Sequence, residues 1–585
     1  MGNRQNKRLV FDYIVIGAGT AGGVVAKKLT DDRKTSVLVL EPGINSTETL
    51  STPDILKAIF LASDNKYAWN LVSRIETFLQ RQLLTVNGRV IGGSSEVNDM
   101  YAVRGSKELY NEWAEFVGSD QWNYDHVRKL FIKNETYTGE TQSPNERGRK
   151  GPIFVRQQHI PPDAGLIQAL ADATSAVLDI DIVVDYNTGV RDCTFYQSQF
   201  IQKEDGAEIT RSSTATGYLN EAVVTQGNEF DPDEFGVGKR KLAIFAKTTV
   251  NKILFKKKKR KKKLIAIGVK YVKDGVSCKA FARKGIIVSA GFASSVILQR
   301  SGIGKTADLI NAGIKPLIKN PNVGYNLQTH AYAGLGVEVD TSQIAPIAGA
   351  DPNQPILLGA FKAEQSNSLE GRRLQILGAP APLFLPAPDV ASNEWELDLN
   401  KQVNIMSFGL IDLNPRSRGT IMASHSDPQS LPSFSFNPLQ PTTNDLEFLV
   451  DQYINMYNII QEAKANISGI GKVVYPSEDI FLLTDEAEKR RLLGDHVRAS
   501  YSNFFHYGGQ CKMGKSKEDG VVNKYLNVFG TVNLKVADLS ISPILPDGNT
   551  SIPAQMIGLN AVRFIQNNPS AFVADDDDFE DVVND

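Results

Sequence analysis

The sequence predicts an α/β fold that begins with a strand, a helix and a second strand, and three observations near the N-terminus indicate it. The apolar run Tyr13 to Ile16 is followed by GAGTAG, which places glycines at positions 17, 19 and 22. A helical segment comes next, then a second apolar run from Val37 to Leu40, which ends at Glu41. This order and spacing are typical of the βαβ unit that binds a dinucleotide.

Each residue of the glycine motif has a physical task in such a unit. Gly17 allows the sharp turn out of the strand, Gly19 allows the backbone to approach a pyrophosphate, and Gly22 allows the helix to pack closely on the strand. The diphosphate lies at the helix N-terminus, where free N–H groups and the helix dipole favour an anion. Thr20 and Ala21 stand at that N-terminus and are candidate contacts.

Glu41 indicates which dinucleotide fits. A carboxylate at the end of the second strand can accept hydrogen bonds from both hydroxyls of an adenosine ribose, and it would repel a 2′-phosphate. FAD or NAD is therefore expected, and NADP is not.

Length and composition narrow the class of protein. A chain of 585 residues is too long for one core, so two domains or one interleaved pair are expected. The hydrophobic share of 42% and the charged share of 22% are those of a soluble globular protein. With a formal net charge of −2, no global field recruits nucleic acid or a membrane. The cysteines Cys193, Cys278 and Cys511 form neither a disulfide framework nor a metal-ligand pattern, so no metal site is predicted.

Charge is concentrated at two places. The run Lys256 to Lys263 reads KKKKRKKK between two strand-like segments, so a solvated hairpin tip is expected, with an anion or nucleic-acid contact as the alternative. Residues 575–585 are an acidic tail. No apolar signal segment precedes the first strand and no run of about 18 apolar residues exists. We expect a soluble protein without a spanning helix, and its compartment stays open.

A second glycine-rich segment, NGRVIGGSSEVNDMYAVRG, begins at Asn87 and indicates a known family. It resembles, position by position, the first signature of the glucose–methanol–choline (GMC) flavin oxidoreductases, as in aryl-alcohol oxidases and choline dehydrogenases. The resemblance implies FAD as the cofactor. Beyond the βαβ unit, it places the following residues at that cofactor: Arg89, Gly92, Gly93, Ser94, Asn98, Val250, Asp538, Asn549 and Pro553.

The resemblance also implies the domain organisation. A Rossmann-like FAD-binding α/β domain is expected from the discontinuous segments 1–155, 206–330 and 486–570. A smaller α+β substrate domain would comprise 156–205 and 331–485, followed by the tail 571–585. The alternating stretch VNIMSFGLIDL in the second of these segments indicates an antiparallel sheet.

Two segments near the C-terminus supply the chemistry that the family resemblance implies. His506 in NFFHYGG corresponds to the histidine that takes the hydroxyl proton of an alcohol while the α-hydrogen passes as hydride to flavin N5. Asn549 in PDGNTS corresponds to its partner, whose amide holds the substrate oxygen. The competing interpretation of Asn549 is an ordinary turn residue. The sequence does not separate dioxygen from another electron acceptor.

Two further positions refine this interpretation. Val97 stands where some family members attach FAD covalently through a histidine, so no histidyl link is expected. Phe505 resembles the aromatic residue that lines the pocket of aryl-alcohol oxidases, which favours a primary alcohol with an apolar or aromatic group.

Two other functions stay open at this point. One is a structural or packing role on a scaffold that retains FAD, because the composition, the basic run and the acidic tail resemble GMC-type proteins found in particles of giant DNA viruses. Homo-oligomers formed through the basic run and the tail would support it. The other is a lyase on the same scaffold.

Overall fold

The computed structural model describes residues 8–45, 52, 55–160, 164–220, 236–257, 263–344, 358–363, 371–385, 403–568, 573–574 and 582–584. Residues 258–262 of the basic run and most of the acidic tail lie outside these described residues.

The strands are β1 Val10–Ile16, β2 Val37–Leu40, β3 Ala68–Val72, β4 Leu84–Gly88, β5 Glu135–Tyr137, β6 Ile153–Gln157, β7 Asp181–Ile182, β8 Cys193–Phe195, β9 Gln199–Phe200, β10 Gln202–Asp205, β11 Glu208–Arg211, β12 Leu242–Phe245, β13 Thr248–Lys257, β14 Leu264–Lys273, β15 Val276–Val288, β16 Ile303–Gly304, β17 Ile318–Lys319, β18 Tyr325–Asp340, β19 Leu358–Ala363, β20 Arg373–Ala379, β21 Val403–Asp412, β22 Gly419–Met422, β23 Ser433–Ser435, β24 Ile470–Tyr475, β25 Ser502–Gly508, β26 Thr531–Val532 and β27 Leu534–Val536.

The α-helices are α1 Gly22–Leu29, α2 Ile55–Ala62, α3 Lys107–Val117, α4 Tyr124–Asn134, α5 Gly165–Leu178, α6 Thr214–Tyr218, α7 Ser294–Arg300, α8 Thr306–Asn311, α9 Asp445–Asn466, α10 Glu478–Phe481, α11 Glu486–Ser500 and α12 Ser551–Asn567. Short 3₁₀ helices span Gly93–Glu96, Asp120–Trp122, Pro144–Glu146, Val237–Lys239, Gly291–Ala293 and Leu539–Ile541. Within the described residues, no helix combines the length and the apolar character needed to cross a membrane.

The first sheet is the predicted Rossmann-like core. Its strand order is β12-β2-β1-β15-β14-β13, with β26 beside β14 and β27 beside β15. Strand β1 pairs in parallel with both β2 and β15, and every residue of β2 is buried. Such apolar strands are typical of a parallel sheet that is covered on both faces. Helix α12 packs close to the start of α1, because a Cβ on Gly558 would lie 2.8 Å from the carbonyl oxygen of Ala21.

The second sheet is mainly antiparallel and has ten strands. Its path runs β23-β22-β18-β21-β20-β19-β8-β7, and β24 and β25 also pair with β18. The alternating stretch forms β21, which pairs antiparallel with β18 and β20. The predicted fold class is therefore confirmed: a parallel sheet core and a separate antiparallel sheet. The segments on either side of the basic run form the antiparallel pair β13 and β14, as expected.

The C-terminal part of the chain connects the two sheets, because its strands β25 and β27 pair with different sheets. Strand β25, which carries His506, pairs with β18 of the antiparallel sheet and not with the first sheet. Strand β27 pairs with β15 of the first sheet only 26 residues after β25 ends. The exact domain boundaries stay a prediction, and this crossing places His506 on the antiparallel sheet.

Candidate active site

The first glycine loop is shaped by contacts that exclude side chains. Gly17 has φ of +99°, and a Cβ there would lie 2.5 Å from the carbonyl oxygen of Ser289. A Cβ on Gly22 would lie only 2.1 Å from the carbonyl oxygen of Gly17. At Gly19, in contrast, the nearest atom would be 3.7 Å away, which is ordinary van der Waals contact. The fold itself therefore requires glycine at positions 17 and 22, and has room for a methyl group at position 19.

The second glycine loop packs directly against the first. Gly92 and Gly93 have φ of +95° and +57°, in the region that favours glycine. The N–H of Gly92 donates to the carbonyl of Ala18 at 2.9 Å. A Cβ on Gly93 would lie 2.6 Å from Cα of Gly19. The structure thus brings the two predicted cofactor segments together, although about 70 residues separate them in the chain.

Glu41 is buried and already engaged by the backbone. Its Oε2 accepts from the N–H of Ala18 and its Oε1 from the N–H of Gly43, each at 2.9 Å. Burial raises the pKa of its carboxyl group to about 7, and the two backbone donors oppose this shift. Each oxygen retains a second lone pair and can still accept a hydrogen bond from a ribose hydroxyl. That contact stays a prediction.

We expect the Glu41→Gln variant to unfold more easily than the native protein. A glutamine side chain has one acceptor oxygen, so one of the N–H groups of Ala18 and Gly43 would face an NH₂ group and stay unsatisfied. The expected loss in the free energy of unfolding is about 1–3 kcal/mol. Urea denaturation of the FAD-free protein measures it, with Glu115→Gln on the exposed face of α3 as the matched control. Equal stability of both variants would contradict the role of the two backbone contacts.

Other predicted cofactor residues line the same region. The guanidinium of Arg89 lies over the Trp69 ring at 4.2 Å. Oγ of Ser94, which is exposed, accepts from the N–H of Gly88 at 3.1 Å. Oδ1 of Asn98 accepts from Nη1 of the buried Arg211 at 2.6 Å. Of these contacts, the hydrogen bond at Ser94 holds the backbone beside the second glycine loop.

Asp538 connects the C-terminal part of the chain to the first sheet. Its Oδ2 accepts from the N–H of Gly291 at 2.9 Å and from Oγ of Ser294 at 2.5 Å. Its Oδ1 accepts from the N–H of Ser540 at 2.9 Å. Burial raises the pKa of the Asp538 carboxyl group, and these donors counteract the shift. This carboxylate therefore holds the segments of Gly291, Ser294 and Ser540 together. Its contact to FAD stays a prediction.

The two remaining predicted cofactor residues are buried on separate elements. Val250, on β13, is 6% exposed. Pro553 is buried in the first turn of α12, where a proline costs no intrahelical hydrogen bond. The hydroxyl of Ser551, at the start of the same helix, is buried without a hydrogen-bond partner among the described residues. A helix N-terminus with an unused hydroxyl suits a ligand that offers acceptor atoms.

His506 and Asn549, which the sequence pairs, come together. Nδ2 of Asn549 lies 3.4 Å from Nε2 of His506. On the other side of the imidazole, Nδ1 of His506 lies 2.9 Å from Nδ1 of His330. His330 is fully buried and belongs to β18, the strand that pairs with β25. No local pattern in the sequence singles out His330, and only the pairing of these strands reveals it.

The phenyl ring in contact with His506 belongs to Phe504, the residue before the predicted pocket residue Phe505. Phe505 has φ of +56° and its side chain is 47% exposed, so its place in a substrate pocket stays a prediction. Phe504 packs edge-on against His506 at 5.1 Å between ring centroids. Tyr332 in turn contacts Phe504 at 5.7 Å and Phe384 at 6.1 Å. The period of two in a strand is the signal that would have found Phe504, because it places residues 504 and 506 on one face.

A carboxylate also lies near this aromatic cluster. Asp99 acts on the phenol of Tyr332, whose pKa is raised by burial and by that charge. Burial raises the pKa of Asp99 itself, and the guanidinium of Arg211 opposes the shift. Sequence reasoning passed over Asp99, although it directly follows the predicted cofactor residue Asn98.

The predicted role of His506 as a base implies that flavin reduction by an alcohol is insensitive to acid down to about pH 5. Burial lowers the pKa of His506 to about 3, and burial together with His506 lowers the pKa of His330 well below its usual value. A lowered pKa means that the neutral imidazole, which is the form that the predicted base role requires, persists as the pH falls. The rate constant of flavin reduction, measured without oxygen from about pH 8 to 5, should stay level. An acid limb near pH 6.5, the ordinary value for histidine, would contradict it.

The donor set and the glycine cradle fit FAD. The touching glycine loops provide a cradle without side chains, where a diphosphate would approach the backbone at Gly19. Asn549, which faces His506, directly precedes the N-cap residue of α12. Among the described residues, no group of three or more His, Cys, Asp or Glu side chains could hold a metal ion.

Comparison with known proteins decides the family. A family model of GMC oxidoreductases matches residues 11–332, and a second one matches residues 415–558. The chain belongs to the GMC oxidoreductase family. The family resemblance predicted from the sequence is confirmed. The GMC fold binds FAD, and the protein is a flavin-dependent oxidoreductase that acts on CH–OH groups.

Related GMC proteins match almost the whole chain. Human mitochondrial choline dehydrogenase is 28% identical over 593 aligned positions, which cover 97% of this chain and 91% of that enzyme. The 5-(hydroxymethyl)furfural oxidase of Methylovorus sp. (strain MP688) is 26% identical over 94% of this chain and 97% of its own length. Both of these relatives are enzymes by name, so they do not favour the particle-assembly alternative.

Solved structures share the GMC fold. Pyridoxine 4-oxidase from Mesorbium loti superimposes with a TM-score of 0.75 at 22% identity, covering 95% of this chain and 99% of that one. A fungal aryl-alcohol oxidase superimposes with a TM-score of 0.72 at 19% identity and the same coverage. These likenesses establish the fold.

Proposed function

We propose that this GMC oxidoreductase oxidises a primary alcohol with an aromatic or apolar group, with His506 as the base. The observation that carries the proposal is the 3.4 Å separation between Nε2 of His506 and Nδ2 of Asn549. One hydroxyl oxygen placed beside both atoms can lose its proton to the imidazole and receive a hydrogen bond from the amide. The amide then stabilises the negative charge that develops on that oxygen.

The surroundings of His506 support an apolar alcohol. The rings of Phe504, Tyr332 and Phe384 contact one another in sequence from His506 outwards. Edge-to-face packing of this kind also accommodates an aromatic substrate. When bound, FAD accepts the hydride from the alcohol carbon. Dioxygen or another acceptor would complete the cycle.

The absence of a histidyl link to FAD is part of this proposal. Val97 is 8% exposed and packs with Tyr67 and Val90 in a small apolar cluster. Valine offers no nucleophile for attachment. Acid precipitation of the holoprotein should therefore release the flavin into the supernatant, and a yellow pellet would contradict this part of the proposal.

The test is the visible spectrum of the holoprotein, recorded without oxygen before and after each of three alcohols is added. Benzyl alcohol should bleach the flavin bands faster than 1-butanol. A cationic amino alcohol is the third substrate, because Asp99 places a carboxylate near Tyr332. Faster bleaching by the amino alcohol would overturn the apolar substrate class, and no bleaching by any primary alcohol would overturn the reaction. The rate at which air restores the bands then separates an oxidase from a dehydrogenase.

A further inference from the structure

The His506 pair is the centre of a longer hydrogen-bonded chain. Nδ1 of His330 faces Nδ1 of His506 at 2.9 Å, and Nε2 of His506 faces Nδ2 of Asn549 at 3.4 Å. Oδ1 of Asn549 accepts from Nε2 of Gln375 at 3.2 Å. His330 and Gln375, the two ends of the chain, are both 0% exposed. In each hydrogen bond one atom donates and the other accepts. The positions of the protons therefore give this hydrogen-bonded chain a direction.

The two imidazoles share one proton between their facing nitrogens. A neutral imidazole has one N–H donor and one acceptor nitrogen, so one of the two Nδ1 atoms must be protonated and the other must not. If the proton is on His506, Nε2 of His506 is left as an acceptor. If it is on His330, Nε2 of His506 carries the proton and cannot accept another from an alcohol. The partners at the two ends of the chain decide between these cases.

At the first end, Pro546 favours a proton on the outer nitrogen of His330. The backbone carbonyl of Pro546 acts on the His330 imidazole and opposes the lowering of its pKa, as an acceptor near a ring N–H does. Proline has no backbone N–H, so this backbone group can only accept. Since Nδ1 faces His506, the ring nitrogen left to face that carbonyl is Nε2, which is enclosed and forms no hydrogen bond within the described residues. Nδ1 of His330 is then the acceptor, and Nδ1 of His506 carries the shared proton.

At the second end, Gln375 determines the orientation of the Asn549 amide. An asparagine amide can turn over and exchange its oxygen and its NH₂ group. In the reversed orientation the Asn549 carbonyl would face His506 and would favour a proton on Nε2. The N–H that Gln375 donates to Oδ1 opposes a reversal of Asn549 alone, because the reversed amide would set two NH₂ groups against each other. Oε1 of Gln375 is buried without a hydrogen-bond partner among the described residues, which costs stability and points to a functional reason for this side chain.

We propose that His330 and Gln375 are positioning residues. They give the hydrogen-bonded chain a single direction, so that His506 presents an unprotonated Nε2 towards the substrate. Both ends act towards the same tautomer, through separate strands of the antiparallel sheet, β18 and β20. The role assigned to Nε2 rests on the proposed function, while the tautomer itself does not.

The tautomer is measured directly, in the absence of any alcohol. In the holoprotein labelled with nitrogen-15 at histidine, the chemical shift of each ring nitrogen distinguishes a protonated from an unprotonated atom. The His506 signals are assigned by their loss in His506→Ala. We expect Nδ1 of His506 to be protonated and Nε2 to be unprotonated. A protonated Nε2 in the native protein would overturn the proposal.

Variants at each end test the two positioning residues. Gln375→Glu offers only acceptors, so the Asn549 amide should turn over and the population of His506 protonated at Nε2 should rise. His330→Leu removes the acceptor for Nδ1 of His506, and His330→Asn restores one, so the native tautomer should be lost in the first variant and recovered in the second. His425→Asn, at an exposed histidine, should leave the His506 signals unchanged. Unchanged His506 signals in Gln375→Glu and His330→Leu would overturn the proposal.

Kinetics then separate this proposal from the proposed function. Where an alcohol bleaches the flavin, His330→Leu and Gln375→Glu should slow flavin reduction by roughly 10²-fold, and His330→Asn should recover most of that loss. The expected tautomer without bleaching by any alcohol would contradict only the proposed function. Bleaching of the flavin by an alcohol in a protein whose His506 is protonated at Nε2 would contradict only the proposed direction of the hydrogen-bonded chain.

Discussion

Replacing His506 by alanine is expected to slow the reduction of FAD by an alcohol by about 10²–10⁴-fold, the range that general base catalysis supplies. The reason is local, because His506 holds the nitrogen that lies beside the amide of Asn549. The FAD content should not change, since the glycine loops lie on other segments of the chain. Stopped-flow absorbance without oxygen measures the rate.

The matched control is His425→Ala, at an exposed histidine outside the cluster. This variant should reduce its flavin at the native rate. Native flavin reduction in His506→Ala would mean that another group takes the proton. Loss of flavin from His506→Ala would instead mean that the imidazole supports the cofactor site itself.

Two glycine substitutions in one loop are expected to have opposite effects on folding and on FAD binding. Gly22→Ala places a methyl group 2.1 Å from the carbonyl oxygen of Gly17, so the strand and helix must move apart. Overpacking typically costs about 1–3 kcal/mol, and we expect the upper end of this range because a backbone atom is the obstacle. Gly19→Ala meets its nearest atom at 3.7 Å, so the FAD-free protein should keep its stability.

The methyl group of Gly19→Ala would, however, stand where a diphosphate approaches the backbone. We expect FAD affinity to fall by roughly 30- to 100-fold, which corresponds to about 2–3 kcal/mol. Urea denaturation of the FAD-free variants measures stability, and titration with FAD measures affinity. Native FAD affinity in Gly19→Ala would contradict the placement of the diphosphate at this loop. A native stability of Gly22→Ala would contradict the close packing of α1 on β1.

Local sequence patterns were sufficient to predict the fold class and the family. The alternation of apolar runs, the glycines at 17, 19 and 22 and the GGSS segment depend on neighbours in the chain, and each predicted element was found. The α/β class, the antiparallel sheet and the GMC family are confirmed. A strand or helix depends on a short stretch of side chains, so its signal survives in a single sequence.

The active site was only partly predictable, because some of its contacts join residues that are far apart in the chain. His506 and Asn549 were named by resemblance, and the structure places them together. His330 and Gln375 carry no local signal, because they reach the site through pairing of strands that are far apart in the chain. The same applies to the burial that lowers the pKa of His506.

By itself, the sequence of this protein determined the βαβ unit and the FAD family, and it named the two residues that we propose for the chemistry. The tertiary structure alone decided which neighbours surround them: a second histidine at 2.9 Å, a buried glutamine amide, and Phe504 in contact with His506. The physical reason is that hydrogen-bond direction and burial are properties of a packed neighbourhood. They arise only when distant strands come within a few ångströms of one another.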